Sequence, residues 1–199
     1  MQRPPGWAGR LALTAALIAF TPIDERNLLR GEPTAAGVRI FYAPKTDLEQ
    51  VDRQLIDGAR RAIDMAAYVL TNRGVISALS AAARRGVRVR LYLDPDQAMR
   101  QQRTSGEDSL AGLLEAPNVE TRFKARTTDM HMKAFQVDGR YLRSGSANFS
   151  FAGAKLQDND AIVIESATAA ADFIREFESI WARRDNEVYS RSAPVSRRP

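Results

Sequence analysis

Two hydrophobic periods alternate along the chain. Val38 to Tyr42 is a β-rich run ending at Pro44, and Thr46-x-x-Glu49 has the form of a capping box that opens a helix. Leu48, Val51, Leu55, Ile56 and Ala59 then recur at helical spacing, so this segment buries one stripe. Ile63 to Leu70 (IDMAAYVL) is apolar almost throughout and reads as a largely buried strand. Val75, Ile76, Leu79, Ala82 and Ala83 make a second amphipathic helix stopped by Gly86, and Val87 to Leu93 (VRVRLYL) alternates as a strand does. Strand, helix, strand, helix and strand in that order predict parallel strands with helices packed on the sheet. Further on, Ser109 to Leu114 predicts a third helix, Val119 to Lys124 a strand, and Ala161 to Glu165 (AIVIE) another. The closing helix carries Ala170, Phe173, Ile174, Phe177, Ile180 and Trp181 on one face.

One hairpin interrupts this alternation. Met132 to Val137 has strand composition, and Asp138-Gly139 is a two-residue turn signal, so Arg140 to Ala147 returns antiparallel beside it. No internal repeat is present, and a single α/β domain over residues 31–184 accounts for the pattern. Before it, Leu11 to Phe20 (LALTAALIAF) follows Arg3 and Arg10. This apolar run has the length of a signal-peptide core and about half that of a membrane span, which needs roughly 20 residues. Residues 1–30 therefore read as a leader, a signal peptide or short anchor, and export to the periplasm or outside is expected, with or without retention at the membrane. Residues 185–199 (DNEVYSRSAPVSRRP) lack a core pattern and read as a flexible tail.

Composition narrows the chemistry. The chain has no cysteine and one histidine, which removes disulfides, thiol nucleophiles and zinc sites built from Cys and His. No cofactor and no metal are expected. The net charge of +5 is spread among acidic residues, so anionic partners are favoured only weakly. The single histidine, His131, stands two residues before Lys133 on the hairpin. Strand alternation points both side chains the same way, about 7 Å apart along the backbone. Asp138 lies an odd interval from His131, which puts it on the opposite face, where shaping the turn and a direct role at the active centre are both open readings. Arg122, Lys124 and Arg126 (RFKAR) share a parity just upstream, and Arg140 and Arg143 follow, a candidate basic rim for a phosphate backbone or a charged strand edge. Phe149 and Phe151 are candidates for stacking or for the core.

His131-x-Lys133, four residues, Asp138, six residues, then Gly145-Ser146-x-Asn148 resembles the HKD signature of the phospholipase D superfamily, with all six specified residues at the family's intervals. The likeness extends from about Val38 to Trp181 and is closest to the small bacterial endonuclease branch, which carries one signature per chain. It implies a phospholipase D-like fold, a mixed and mostly parallel sheet flanked by helices. It also implies metal-independent phosphodiester hydrolysis through a phosphohistidine, with one imidazole attacking and a second protonating the leaving oxygen. This chain supplies one imidazole, so the resemblance implies a homodimer whose two signatures meet. His131, Lys133, Asp138, Ser146 and Asn148 are the catalytic residues so implied, with Gly145 leaving room for close approach. The expected partner is nucleic acid, DNA and also RNA, and a phospholipid is the alternative substrate. A third reading is a binding or scaffolding protein without turnover. Related nucleases commonly carry a glutamate about eleven residues beyond the signature asparagine. Here Asn159 stands there, between Asp158 and Asp160, and an aspartate facing His131 is the candidate brace for its ring.

Overall fold

The computed structural model describes residues 37–101, 109–126 and 128–190. The expected leader lies outside them. Strand β1 (Val38–Ala43) ends at a cis Ala43–Pro44 bond, and helix α1 (Leu48–Asp57) follows. Its N-cap is Asp47, whose carboxylate accepts the Glu49 N–H at 3.0 Å, so the expected box on Thr46 is displaced by one residue. Glu49 does not reach back because it is engaged elsewhere, by Asn72 Nδ2 at 3.1 Å and Lys155 Nζ at 3.0 Å. Strand β2 (Ala62–Ala67) leads to helix α2 (Arg73–Arg84), which Asn72 caps by accepting the Val75 N–H, and strand β3 (Arg88–Leu93) comes next. Helix α3 (Pro95–Gln101), which the apolar pattern did not predict, starts with Asp94 accepting the Gln97 N–H. Helix α4 (Leu110–Leu114), strand β4 (Val119–Phe123), and the hairpin of β5 (Lys133–Val137) and β6 (Tyr141–Ser144) come after it. Helix α5 (Phe151–Lys155), strand β7 (Asn159–Glu165), helix α6 (Ala167–Trp181) and strand β8 (Glu187–Val188) complete the order.

The strands form one mixed sheet in the order β1-β7-β6-β5-β2-β3-β4-β8. The α/β architecture is as expected, but parallel pairing is confined to β2–β3 and β3–β4, and every other neighbour is antiparallel. The expectation of a mostly parallel sheet assumed that consecutive strands are neighbours. Burial explains the departure. β2 is buried on both faces and takes the centre, whereas β1 exposes alternate residues and takes an edge beside β7. β8 is a second correction: residues 185–190 do not belong to a free tail, because Glu187 and Val188 pair with β4 and the Tyr189 ring packs on Phe123.

Helices cover both faces. Val51, Leu55, Ile56, Val75, Ile76, Leu79, Leu110 and Leu113 from α1, α2 and α4 pack on Ile63, Met65, Val89, Leu91 and Phe135. Each fully buried side chain of this size contributes about 1.5–3 kcal/mol. On the other face, Phe173, Phe177, Ile180 and Trp181 of α6 pack on Ala66, Tyr92 and Ala134. Beneath α6, buried Arg90 is satisfied by Asp64 and Glu178, each at 2.6 Å, and lies over the Phe177 and Trp181 rings. Among the described residues, no helix is long and apolar enough to cross a membrane.

Candidate active site

The antiparallel hairpin carries the signature to one end of the sheet. β5 runs antiparallel to β2, so its first residue, Lys133, lies opposite Ala67 at the C-terminal end of β2, where the parallel strands β3 and β4 also end. The segment before β5 is pinned by two backbone donors. The Met130 N–H gives a hydrogen bond to Asp94 Oδ2 at 3.1 Å, and the Tyr68 N–H gives one to the Met132 carbonyl at 2.8 Å. His131, between those anchors, is exposed.

His131 and Lys133 converge as strand alternation predicts. Lys133 Nζ donates to the His131 carbonyl at 2.8 Å and stands 3.3 and 3.4 Å from the two ring nitrogens. The Tyr68 ring closes the group, 4.5 Å from the imidazole centroid, with Lys133 Nζ 5.1 Å above it and its hydroxyl accepting from Gln97 Nε2 at 3.1 Å. Partial burial lowers the pKa of Lys133 from the ordinary 10.5. Tyr68, Asp94 and Gln97 escaped the sequence reading. A usable signal existed, since Tyr68 and Asp94 directly follow two parallel strands, where α/β sheets gather their ligands.

The Gly145-Ser146-Ala147-Asn148 turn stands across from that group. Gly145 has φ 134°, and a Cβ there would lie 2.5 Å from the Asp160 carbonyl, so glycine is required by the approach of β7. Ser146 Oγ donates to Asn159 Oδ1 at 3.1 Å and accepts the Asp160 N–H at 2.9 Å, while the Ser146 N–H reaches Asp160 Oδ1 at 3.2 Å. Asn148 Oδ1 is buried without a hydrogen-bond partner. Gly153 of α5 presses on the Asn148 backbone, where a Cβ would come within 2.6 Å of its carbonyl oxygen. Phe149 then anchors the turn in the core, its backbone bonded to Val69, Thr71 and Asn72.

Several expected site residues lie elsewhere. Asp138 occupies the hairpin turn at the far end of β5, about 16 Å from Lys133 by strand rise. Its carboxylate accepts the backbone N–H groups of Arg60, Arg61 and Ala62 at 2.8–2.9 Å. Desolvation opposes its charge, but those donors and the Arg61 guanidinium outweigh it and lower the pKa from 3.8. Asp138 therefore clamps the start of β2 and does not reach His131. The basic rim also disperses. Arg122 donates to the Trp181 carbonyl at the end of α6, Arg126 is paired with Asp96, and Lys124 holds Thr128 and the Asp129 carbonyl. Arg140 pairs with Glu165 at the turn, and Arg143 is fully buried. Asn159 and Asp160 engage Ser146 instead of the imidazole, and Asp158 lines an open concavity beside Ser146 with Ile40 and Tyr42. Phe149 is core, whereas Phe151 is exposed.

One exposed imidazole, one ammonium, a hydroxyl and an amide thus gather at one sheet end. Arg143 Nη1 links the two segments that carry them, donating to the Lys133 carbonyl at 3.1 Å and to the Ala147 carbonyl at 3.2 Å. Such a set can hold a tetrahedral anion with the cation and the amide donors while the imidazole attacks or transfers a proton. Among the described residues, no group of three or more His, Cys, Asp or Glu side chains could hold a metal ion.

Known proteins resemble this chain in sequence and in fold. Residues 53–181 match a family model described as cardiolipin synthase, PLD-like domain. Mitochondrial cardiolipin hydrolase of Chlamydomonas reinhardtii is 26% identical over 126 residues, 63% of this chain and 54% of that protein. Phospholipase D of Rickettsia bellii is 28% identical over 146 residues, 73% of this chain and 70% of that protein. The chain spans 54–63% of the length of the first curated relatives it matches. Among solved structures, the phospholipase D family member Nuc from Salmonella typhimurium superposes with a TM-score of 0.64 at 26% identity, covering 79% of this chain and 99% of that one. NucT from Helicobacter pylori, with a TM-score of 0.61 at 19% identity, shares the fold.

Proposed function

The chain belongs to the phospholipase D superfamily through this PLD-like domain, and we propose that it is a phosphodiesterase that works through a phosphohistidine without a metal. One ring nitrogen of His131 attacks phosphorus and the bond to the leaving oxygen breaks, with His131 of a second copy giving that oxygen its proton. Water then attacks the phosphohistidine. The P–N bond breaks, the water proton passes to the second imidazole, and both rings return to their starting state. Lys133 neutralises the nonbridging oxygens and Asn148 donates to them, joined by Ser146 when its hydroxyl turns from Asn159 to the phosphate. The observation that carries the reading is the grouping of the chain's sole imidazole with Lys133 and the Gly-Ser-x-Asn turn.

The homodimer belongs to the same proposal, because a solitary histidine leaves the acid role empty. The face of β1 and β7 beyond the α6 cluster supports it, since Ile40 and Tyr42 are 49% and 59% exposed there and border Ser146. Nucleic acid is the favoured substrate. The resemblance to the small endonuclease branch supports that choice, and the match to Nuc takes in 99% of that chain against 54% of the Chlamydomonas cardiolipin hydrolase. One observation favours a phospholipid instead, namely exposed Phe151 and Leu156 close behind the signature turn, which an acyl surface would cover. Plasmid nicking in EDTA, run beside headgroup release from cardiolipin vesicles, separates these readings. Nicking without lipid turnover is expected. Lipid turnover alone reverses the substrate, and neither activity leaves a binding protein. Export by the apolar leader remains part of the proposal, tested by fractionating cells that express the full chain.

His131→Asn is expected to abolish turnover in the nicking assay without changing the thermal unfolding of the protein. Excess His131→Asn subunits mixed under exchange conditions also suppress wild-type activity, whereas undiminished activity in the mixture would speak for a site complete in one chain.

A further inference from the structure

Past the Phe135–Arg143 pair the β5–β6 ladder stops, and the two strands part exactly where the signature residues begin: Lys133 pairs with Ala67 on β2, and Ser144 with Ile162 on β7. Arg143 bridges this opening. Its Nη1 donates to the Lys133 carbonyl at 3.1 Å and to the Ala147 carbonyl at 3.2 Å, one on each side of the gap. The rest of the guanidinium is seated on Asp52 of α1, with Nε to Oδ1 at 2.7 Å and Nη2 to Oδ2 at 3.1 Å, and it lies 4.5 Å over the Phe149 ring. Both side chains are buried, at 0% and 2% exposure.

Stability alone does not account for this pair. Its surroundings on that face, Phe135 and Val163, are apolar, and a buried ion pair loses several kcal/mol per ion to desolvation, so apolar residues of similar volume are often neutral or stabilising in its place. Apolar residues cannot donate to two carbonyls. We propose that Arg143, oriented by Asp52, is a positioning residue that ties the Lys133 end of β5 to the Ser146–Asn148 turn and thereby sets the phosphate cradle. This inference rests on the proposed function and names a part of the same site.

The test uses the full chain carrying Asp52→Leu and Arg143→Met together, which removes the tie without leaving a buried charge. Thermal unfolding, kcat and KM on bis(p-nitrophenyl) phosphate in EDTA, and calorimetric affinity for inorganic phosphate are compared with wild type. Unfolding within a few degrees of wild type, kcat lowered about 10- to 100-fold with KM little changed, and weaker phosphate binding are expected, since small misplacements of catalytic groups carry losses of that size. Wild-type kcat and phosphate affinity in a folded double variant would overturn the proposal. Should the double variant not fold, Arg143→Lys, which keeps a cation against Asp52 with a shorter reach, gives the same comparison. A wild-type protein that binds phosphate but turns over no diester defeats the functional reading alone, with the affinities still deciding the tie. One that binds no phosphate overturns both.

Discussion

Partial burial works against the charge of Lys133, and that has a measurable consequence. With its pKa below 10.5, the ammonium loses its proton earlier than a solvated lysine does. The alkaline limb of kcat/KM therefore falls below 10.5 in the wild type, and Lys133→Arg, whose guanidinium stays protonated, moves that limb upward even if the rate drops. For stability the sign is the reverse of a paired lysine. Charging Lys133 costs stability at neutral pH, and the cost fades as pH rises through the folded pKa toward 10.5. Asp138 behaves oppositely. Its lowered pKa contributes stability above 3.8 that is lost as pH falls through the folded value. Asp138→Asn therefore costs about 1–2 kcal/mol at neutral pH, the partly exposed turn limiting the loss, and its unfolding temperature approaches wild type in acid. Turnover per folded molecule stays at the wild-type level. A catalytic role for Asp138 would instead show as lost turnover at unchanged stability.

At the scale of elements, α5 is a short helix with an outsized effect, because its Gly153 presses on Asn148. Gly153→Ala forces a Cβ to within 2.6 Å of the Asn148 carbonyl oxygen and 2.9 Å of Ser150 Oγ, so the turn must shift. The expected result is a loss of about 1–3 kcal/mol from overpacking, read by thermal unfolding, and at least a tenfold fall in kcat. The elements themselves were legible where periodicity is strong. α1, α2, α6, β3 and the β5–β6 hairpin appear where their patterns place them, the last with φ 57° and 68° at Asp138 and Gly139. α3 was not legible, because PDQAMRQ offers little beyond Ala98 to bury. The pairing of His131 with Lys133 followed from alternation, but the neighbours of Ser146 did not. Asn159 and Asp160 reach it through the β6–β7 register, which no local pattern encodes. The basic stripe misled for the same reason, since its partners Asp96 and Trp181 are far away in sequence.

For the whole molecule, the sheet order decides which surface is left for a partner. Among the described residues, α6 packs on β2, β3, β5 and β6, and no helix covers the outer strands β1 and β7 on that side, where Ile40 and Tyr42 are exposed. Under the proposed homodimer, Ile40→Glu with Tyr42→Glu is expected to give monomers in sedimentation and to abolish turnover together with association, leaving the monomer folded because both side chains are already exposed. Full activity in a monodisperse monomer would end the shared-site reading. The imidazole leaning on the Tyr68 ring has one more consequence, because it is the only such ring in the polypeptide. Its proton resonances are a built-in reporter, with no second histidine to confuse the assignment. On a symmetric assembly they form a single set, and an inert vanadate seated between two unlike roles splits that set into two of equal intensity.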